Sequence, residues 1–346
     1  MYLIFVAFKT FDCMVKLTIG LPVYNGDKTL AETLDSVFRH LPNDVEVLIS
    51  DNASSDRTAE IVRSYSEKYP GISYYKNEKN LGPDINFDLV VKRASGEFVW
   101  ILGDDDEIAE NGISCVMNVI SKHSMINAIF VNYSIYDRDT NECLNPRVLK
   151  IKNDVLCVDA SNFLNTVTVY PNFISSIIVR KSQWVIRSSS EFFGTYWLQY
   201  AMLMKVVEGG QSYCISFPYV INRGKEYDGP NEANRSGVAI AILMNLVDII
   251  ETLPRSVFVQ SAISNAKNEA HKFLLRKIFS AKRRGLLLDR KLLMRLINTF
   301  GMYPSFWFIE LPLLFFPKIF HYYSWRVYKS KTARALINFF RTVGLN

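Results

Sequence analysis

Apolar runs and amphipathic stretches alternate in a regular series over the first third of the chain. Lys16 to Leu21 reads as a buried strand ended by Pro22, a residue that cannot extend a hydrogen-bonded ladder. Thr29-Leu-Ala-Glu32 has the form of a capping box, and Leu30, Leu34, Val37 and Phe38 then fall on one helical face. Val45 to Ser50 is a second buried strand. The helix after it turns Ile61, Val62, Tyr65 and Tyr69 inward, with Ser54 or Ser55 placed to cap it. Ile72 to Tyr75 is a third strand, Asp84 to Arg93 a helix, Phe98 to Leu102 a fourth strand and Ala128 to Tyr133 a further one. Strands alternating with helices at this spacing predict an α/β fold: a mainly parallel, doubly wound sheet with helices on both faces. Such sheets bind ligands beyond the carboxyl ends of their strands.

After Tyr133 the pattern loosens. Val155 to Trp184 mixes β-rich runs with turns, and Phe192 to Val207 predicts a helix ended by Gly209-Gly210. Tyr219 to Ser236, rich in Gly, Asn and charge, reads as a hinge or mobile loop, and from Val238 the chain reads as helices to its end. Ahead of the first strand, the apolar run Tyr2 to Phe8 has no basic residue before it and no small-residue cleavage site after it. It reads as an upstream start or a frayed arm before Met14 rather than a signal peptide. The expected organisation is an arm over residues 1–13, an α/β domain over 14–236 and a helical region over 237–346.

The fourth strand carries the chemistry. It stops on Gly103 and three consecutive carboxylates, Asp104, Asp105 and Asp106. A buried strand cannot end inside a core with three charges, because an unpaired buried carboxylate is far too costly. It opens instead into a cleft where the charges meet water, a cation, or both. Clustered carboxylates suit a hard divalent ion such as Mg²⁺ or Mn²⁺; a solvated acidic turn is the plain alternative. Asn25 and Asp51 fall at comparable strand ends, which joins the separate motifs into one candidate site.

Composition narrows the picture further. The 346 residues are enough for one large domain and a smaller one, and 49 % hydrophobic content with 13 % aromatics excludes a disordered chain. The five cysteines (13, 115, 143, 157 and 214) are scattered, which fits a reducing compartment and argues against a disulfide framework or a zinc site. The four histidines show no metal-ligand spacing, so a metal here is expected on carboxylates.

The net charge of +6 hides an asymmetry: from His271 onward there are 15 Lys and Arg against two acids, while the remainder carries 25 against 32. In the basic part, Lys282-Arg-Arg284, Arg290, Lys291 and Arg295 precede the run Met302 to Pro317, followed by Lys318 and the aromatic cluster His321 to Trp325. Three prolines and Glu310 interrupt that run. It therefore reads as a surface lying in the headgroup layer of an anionic membrane, with a true span or a buried helical subdomain as alternatives. A nucleic-acid groove is disfavoured because the acidic cleft would repel phosphates.

Gly20-Leu-Pro-Val-Tyr-Asn25, Leu48-Ile-Ser-Asp-Asn-Ala-Ser-Ser-Asp56, Asn80-Leu-Gly82, Gly96-Glu-Phe98 and Gly103-Asp-Asp-Asp106, in that order, resemble the family-two nucleotide-sugar glycosyltransferases of the GT-A fold. The resemblance covers roughly residues 16–135 and looks nearest to bacterial O-antigen sugar transferases of the abequosyltransferase type, through Asn80-Leu-Gly-Pro-Asp-Ile-Asn-Phe87 and Trp100-Ile-Leu-Gly-Asp-Asp-Asp106. It implies a Rossmann-like GT-A domain followed by the C-terminal helices. By the resemblance, Pro22, Val23, Tyr24 and Asn25 line the nucleotide pocket, Asp51 accepts a hydrogen bond from the base, Asp104 or Asp105 approaches the ribose, and Asp106 of the DxD-like motif binds Mn²⁺ or Mg²⁺. That ion would bridge the diphosphate and neutralise the leaving group, the task that a glycine-rich loop performs elsewhere.

The implied reaction moves a sugar from a nucleotide-diphosphate donor to a lipid-linked oligosaccharide such as O-antigen, at the cytoplasmic face of the membrane. Two positions depart from the family pattern. Phe87 and Asp88 stand where many members carry Arg-Asn, and Gly194-Thr-Tyr-Trp-Leu-Gln199 has no acid where inverting members carry the general base. Glu191 is the carboxylate nearest that position and the candidate base. A sugar nucleotidyltransferase and a non-catalytic nucleotide-sugar binder are the rival readings. The first lacks its basic, glycine-rich loop here, and the second is kept open by the missing acid.

Overall fold

A computed structural model of the chain describes residues 15–39, 41–223 and 238–317. The apolar run before Met14, the loop over 224–236 and the basic, aromatic segment from Lys318 onward lie outside the described residues. The chain divides into two compact units: residues 1–227 with 255–262, and residues 228–254 with 263–346.

In the first unit, strands β1 (Leu17–Val23), β2 (Val45–Asp51), β3 (Ile72–Lys76) and β4 (Phe98–Ile101) alternate with helices α1 (Leu30–Phe38), α2 (Thr58–Lys68) and α3 (Pro83–Arg93). A short β5 (Glu107–Ile108), α4 (Gly112–Lys122), the long β6 (Ile126–Tyr136), β7 (Cys143–Asn145), β8 (Val155–Cys157) and α5 (Ala160–Val167) follow. The unit then runs through β9 (Ile177–Arg180), α6 (Lys181–Val185), α7 (Leu198–Val207) and β10 (Gln211–Asn222). Among the described residues these strands form one ten-stranded sheet whose main path is β3-β2-β1-β4-β9-β6-β10-β5. The pairs β3-β2, β2-β1, β1-β4 and β6-β10 are parallel, and β9 runs antiparallel to both of its neighbours. This is the mainly parallel, GT-A-like sheet expected from the sequence, with β1, β2 and β4 buried on both faces.

Several local expectations are corrected. Pro22 does not end β1; it pairs with Ser50 inside the strand. The Leu102 N–H donates to the Gly20 carbonyl, so the backbone groups of alternate residues Gly20 and Pro22 face β4, whose pairing with β1 ends at Gly20. The missing proline N–H therefore costs no ladder bond. The capping box does not form: the Thr29 side chain leaves the α1 amides alone, and Glu32 pairs with Arg138 instead. Neither Ser54 nor Ser55 caps α2; the Asp56 carboxylate accepts from the Thr58 N–H and hydroxyl. The stretch from Phe192 is not continuously helical. A short turn over Ser190–Phe192 precedes α7, with Gly194 and Tyr196 both at positive φ between them. Tyr219 to Asn222 belongs to β10 rather than to a loop.

The second unit is helical, as expected from Val238 onward. It contains α8 (Val238–Thr252), most of α9 (Gln260–Lys272), α10 (Leu274–Arg283), α11 (Arg290–Phe300), a π turn over Phe306–Glu310 and α12 (Leu311–Phe315). Leu275 and Phe279 of α10 pack with Leu313 of α12, and Arg295 binds Asp248 at 2.6 Å. Among the described residues no helix is long and apolar enough to cross a membrane.

Candidate active site

The segments beyond the carboxyl ends of β1 and β2 are laced together by side chains. Asn25, at φ 53, donates its N–H to Ser54 Oγ (2.9 Å), and its Oδ1 accepts from the Ser55 N–H (2.9 Å). The next two amides are taken as well: Gly26 N–H donates to Thr58 Oγ1 at 3.0 Å and Asp27 N–H to Asp56 Oδ2 at 2.9 Å. Hydrogen bonds from Thr58 and Asp27 outweigh desolvation at Asp56 and hold its carboxyl below the usual range. Pro22 and Val23 are buried in the strand, whereas Tyr24 is half exposed beside them.

Asp51 is fully buried at the end of β2. Its Oδ1 accepts from the Ser54 N–H (2.7 Å), its Oδ2 accepts from the Tyr74 hydroxyl (2.7 Å), and Lys76 Nζ lies 3.8 Å away. Both oxygens of the carboxylate expected to accept from the base thus already hold protein donors. Behind it, Ser50, Asn86, Asn77 and Arg93 form a closed network, with Arg93 donating to Ser50 Oγ (2.8 Å) and Asn77 Oδ1 (2.9 Å). Asn52, beside Asp51, donates to Asn80 Oδ1 (2.9 Å) and the Gly82 carbonyl (3.2 Å), fixing the entry to α3.

The acidic loop follows β4. Asp106 is only 3 % exposed, and its Oδ2 accepts from the Ser175 hydroxyl at 2.5 Å. The same hydroxyl accepts from the Gly103 N–H at 2.8 Å, and the Trp100 indole donates to the Ser175 carbonyl at 2.8 Å. Gly26 and Gly103 leave room for the carboxylates: a Cβ on Gly26 would stand 2.4 Å from Asp104 Oδ2, and one on Gly103 2.8 Å from Asp106 Oδ2. Desolvation, with repulsion from Asp105, raises Asp104 to about 7. Desolvation also raises Asp105 against the pull of Arg138, and desolvation with repulsion from Asp105 lifts Asp106 well above the ordinary range. Arg138, at the β6–β7 hairpin, reaches Glu32 (3.2 Å) and the Asp105 carbonyl (3.5 Å).

Three crowded carboxylates with one nearby guanidinium form a donor set that suits a hard divalent cation, which would relieve both the desolvation and the repulsion. Among the described residues no three His, Cys, Asp or Glu side chains make a ready-built cage.

Glu191 sits outside this cluster of hydrogen bonds. Its exposed carboxylate is ion-paired with Lys205 on α7. Asp84, by contrast, is 3 % exposed at the start of α3, and its Oδ2 accepts from the N–H groups of Gly194 (2.8 Å) and Tyr196 (3.0 Å). Desolvation raises its pKa in spite of those bonds. Tyr196 holds φ at 64, a conformation that costs a bulky residue about 1–2 kcal/mol. Sequence reasoning missed Ser175, Arg138, Tyr74 and the role of Asp84, since each acts on a partner far away in the chain.

Residues 18–176 match the family described as Glycosyl transferase family 2. They form a glycosyl transferase family 2 domain. The chain is 28 % identical to the abequosyltransferase RfbV of Salmonella typhimurium over 251 residues, 67 % of this chain and 72 % of that one. It is 33 % identical over 105 residues to the GalNAc(5)-diNAcBac-PP-undecaprenol beta-1,3-glucosyltransferase of Campylobacter jejuni, spanning 30 % of this chain and only 34 % of that relative. Among solved structures, Staphylococcus aureus TarS 1–349 superposes with a TM-score of 0.55 at 19 % identity, over 84 % of this chain and 80 % of that one. The TarS likeness shows the fold. The family match shows a glycosyl transferase family 2 domain over residues 18–176, and the two relatives named are themselves glycosyltransferases.

Proposed function

We propose that this glycosyltransferase moves a sugar from a nucleoside-diphosphate sugar to a lipid-linked surface oligosaccharide of the O-antigen kind, using Mn²⁺ or Mg²⁺. The observation that carries the reading is the acidic loop beyond the end of β4: Asp106 buried and fixed by Ser175, with Asp104 partly buried and Asp105 exposed beside it. Asp106, with Asp104 beside it, would hold the ion. Once bound, the ion would supply positive charge to the departing diphosphate. On the nucleotide side of the site Tyr24 and Asn25 are exposed, while Pro22, Val23 and Asp51 would shape it from beneath. Of these Tyr24 is available to stack on the base, while Asp51 accepts from it only through lone pairs left over from Ser54 and Tyr74. Glu191 remains the candidate base by position, against the ion pair that occupies it.

The membrane part rests on the second unit. Glu310, which interrupts the apolar run in the sequence, is 1 % exposed and lies 3.6 Å from His271, whereas Phe308 is 78 % and Phe315 66 % exposed. Trp307, Phe316 and Met302 are exposed with them. The charge faces inward and the aromatics outward, in a segment with 15 bases against two acids from His271 onward. An outward aromatic face amid basic residues suits insertion into an anionic interface from the cytoplasmic side.

A non-catalytic binder is favoured by one fact: the segment Phe193 to Val207 contains no carboxylate. One assay separates the readings. Donor sugar nucleotides (UDP-, GDP-, CDP- and dTDP-linked) are incubated with Mn²⁺, and hydrolysis is followed without acceptor. Metal-dependent release of nucleoside diphosphate that Asp106→Ala abolishes is expected. Binding without any turnover, with or without membrane acceptors, would leave the binder.

A further inference from the structure

The partly exposed aromatics between Ser190 and α7 have no part in the donor site, yet the fold aims them at the same end of the sheet. The direction of α7 shows this. Its last turn accepts from Asn127 at the start of β6, which places its C-terminus at the amino edge of the parallel strands and its N-terminus at the carboxyl edge. Helix α3 likewise begins at that edge, where Gly82 meets Asn52 beside Asp51. Asp84 in the first turn of α3 then receives the N–H groups of Gly194 and Tyr196. Hydrogen bonds thus tie the neighbour of Asp51 to Asn80 and Gly82, and, two residues along the backbone from Gly82, Asp84 to Tyr196.

What this path holds in place is an aromatic ring that a purely structural turn does not need. Tyr196 keeps a positive φ that a glycine or asparagine would hold more readily, and its side chain is 49 % exposed. Phe192, Phe193 and Trp197 flank it, all partly exposed. An exposed, backbone-locked aromatic beside further rings offers a flat apolar face at low entropic cost. That face complements the C–H face of a pyranose ring.

We propose that Tyr196 is the platform for the acceptor sugar, with Asp84 as the residue that positions it. The proposal rests on the glycosyl-transfer reading above and adds the acceptor side to it. The carboxylate fixes Gly194 and Tyr196 in one backbone conformation, so the ring presents one face at a constant place relative to the acidic loop. The Tyr196 hydroxyl is not required, only the ring.

The test uses the full chain with the same donor panel and Mn²⁺, and octyl glycosides of glucose, galactose, mannose and rhamnose as acceptor probes. Tyr196→Ala is expected to raise the acceptor KM about tenfold, while donor KM and acceptor-free donor hydrolysis stay within about twofold. Tyr196→Phe should match the unmutated chain. Asp84→Asn should show the same acceptor-selective defect, because a neutral amide holds the two N–H groups less firmly. A lowered melting temperature with unchanged acceptor KM in Asp84→Asn would make it structural only. An unchanged acceptor KM in Tyr196→Ala, or an equal loss in donor KM, overturns the platform. So does a chain that hydrolyses donor yet transfers to no glycoside. Absence of donor hydrolysis and of all transfer overturns instead the glycosyl-transfer reading on which it rests.

Discussion

Ser175→Ala tests the site through the residue that holds Asp106, the proposed metal ligand. Its hydroxyl donates to Asp106 Oδ2 at 2.5 Å and accepts from the Gly103 N–H at 2.8 Å, in a fully buried position. Removing it deletes one charge-assisted hydrogen bond, about 1.5–3 kcal/mol, and leaves a buried N–H without an acceptor. A net loss of about 2 kcal/mol corresponds to a melting temperature about 4–8 °C lower for a domain of this size. Freed from Ser175, Asp106 can rotate, and the half-saturating Mn²⁺ concentration should rise about 10–100-fold, as when a metal ligand loses the hydrogen-bond partner that orients it. Ser176→Ala is the control. Its hydroxyl donates to the Phe173 carbonyl at 2.6 Å in the same turn and has no bond to the acidic loop. Thermal unfolding and a Mn²⁺ titration of donor hydrolysis are measured on both variants. If both lower the melting temperature but neither, or both equally, shifts the Mn²⁺ requirement, the link from Ser175 to the metal ligand is refuted.

Asp104 predicts a pH effect. Its folded value of about 7 lies above the ordinary 3.8, so between those values the native chain keeps a proton that the unfolded chain has released. Metal-free stability from this group therefore falls as pH rises through that window, and Mn²⁺ should raise the melting temperature more at pH ~7.5 than at pH ~5; a shift that is the same at both, or no change of slope in Asp104→Asn, counts against it. Glu191→Gln should leave kcat within about threefold, since the carboxylate is already taken by Lys205; a fall of about 10²-fold or more would make it the base. Asp51→Ala should lower both stability and donor affinity, because the buried Tyr74 hydroxyl and Ser54 N–H lose their acceptor; normal donor affinity in the folded variant removes it from the nucleotide pocket. Phe308→Ser with Phe315→Ser should release the chain from anionic vesicles without changing donor hydrolysis, and equal co-sedimentation of the variant would remove that face from the membrane contact.

The parts of the fold that the sequence made legible are those decided locally. Strands β1, β2 and β4 are buried on both faces, so their apolar runs stand out, and the acidic loop is visible because three charges follow such a run. The misreadings share a cause. Pro22 reads as a strand end only if both of its neighbours continue, and β4 stops first. Thr29-Leu-Ala-Glu32 has the letters of a capping box, but Thr29 has ψ −35, outside the extended geometry that points the hydroxyl at the helix amides. The apolar period before α7 gives no warning of two positive φ values, which are set by Asp84, some 110 residues earlier. Ser175 is one serine among many until β9 returns antiparallel and brings its turn to the end of β4.

The first turn of the sheet bears on how a diphosphate could be bound at all. In a glycine-rich phosphate loop, successive backbone amides point at the anion. Here the three successive amides after Tyr24 are consumed: Asn25 by Ser54, Gly26 by Thr58 and Asp27 by Asp56. Gly26 is kept free of a side chain for a different reason, since a Cβ there would strike Asp104. The glycines of the site thus make room for carboxylates, not for phosphate. With the amides occupied and the nearest strand end lined by acids, a bare diphosphate would meet net repulsion. On the proposed reading, positive charge would come from a cation held by the acids themselves, beside the fixed charges of Arg138 at the Asp105 carbonyl and Arg57 at Asp27. This favours metal-assisted departure of a nucleoside diphosphate over a nucleotidyl transfer run on a phosphate loop. It also makes the acidic loop and the turn at Gly26 one device, in which moving either disturbs the other.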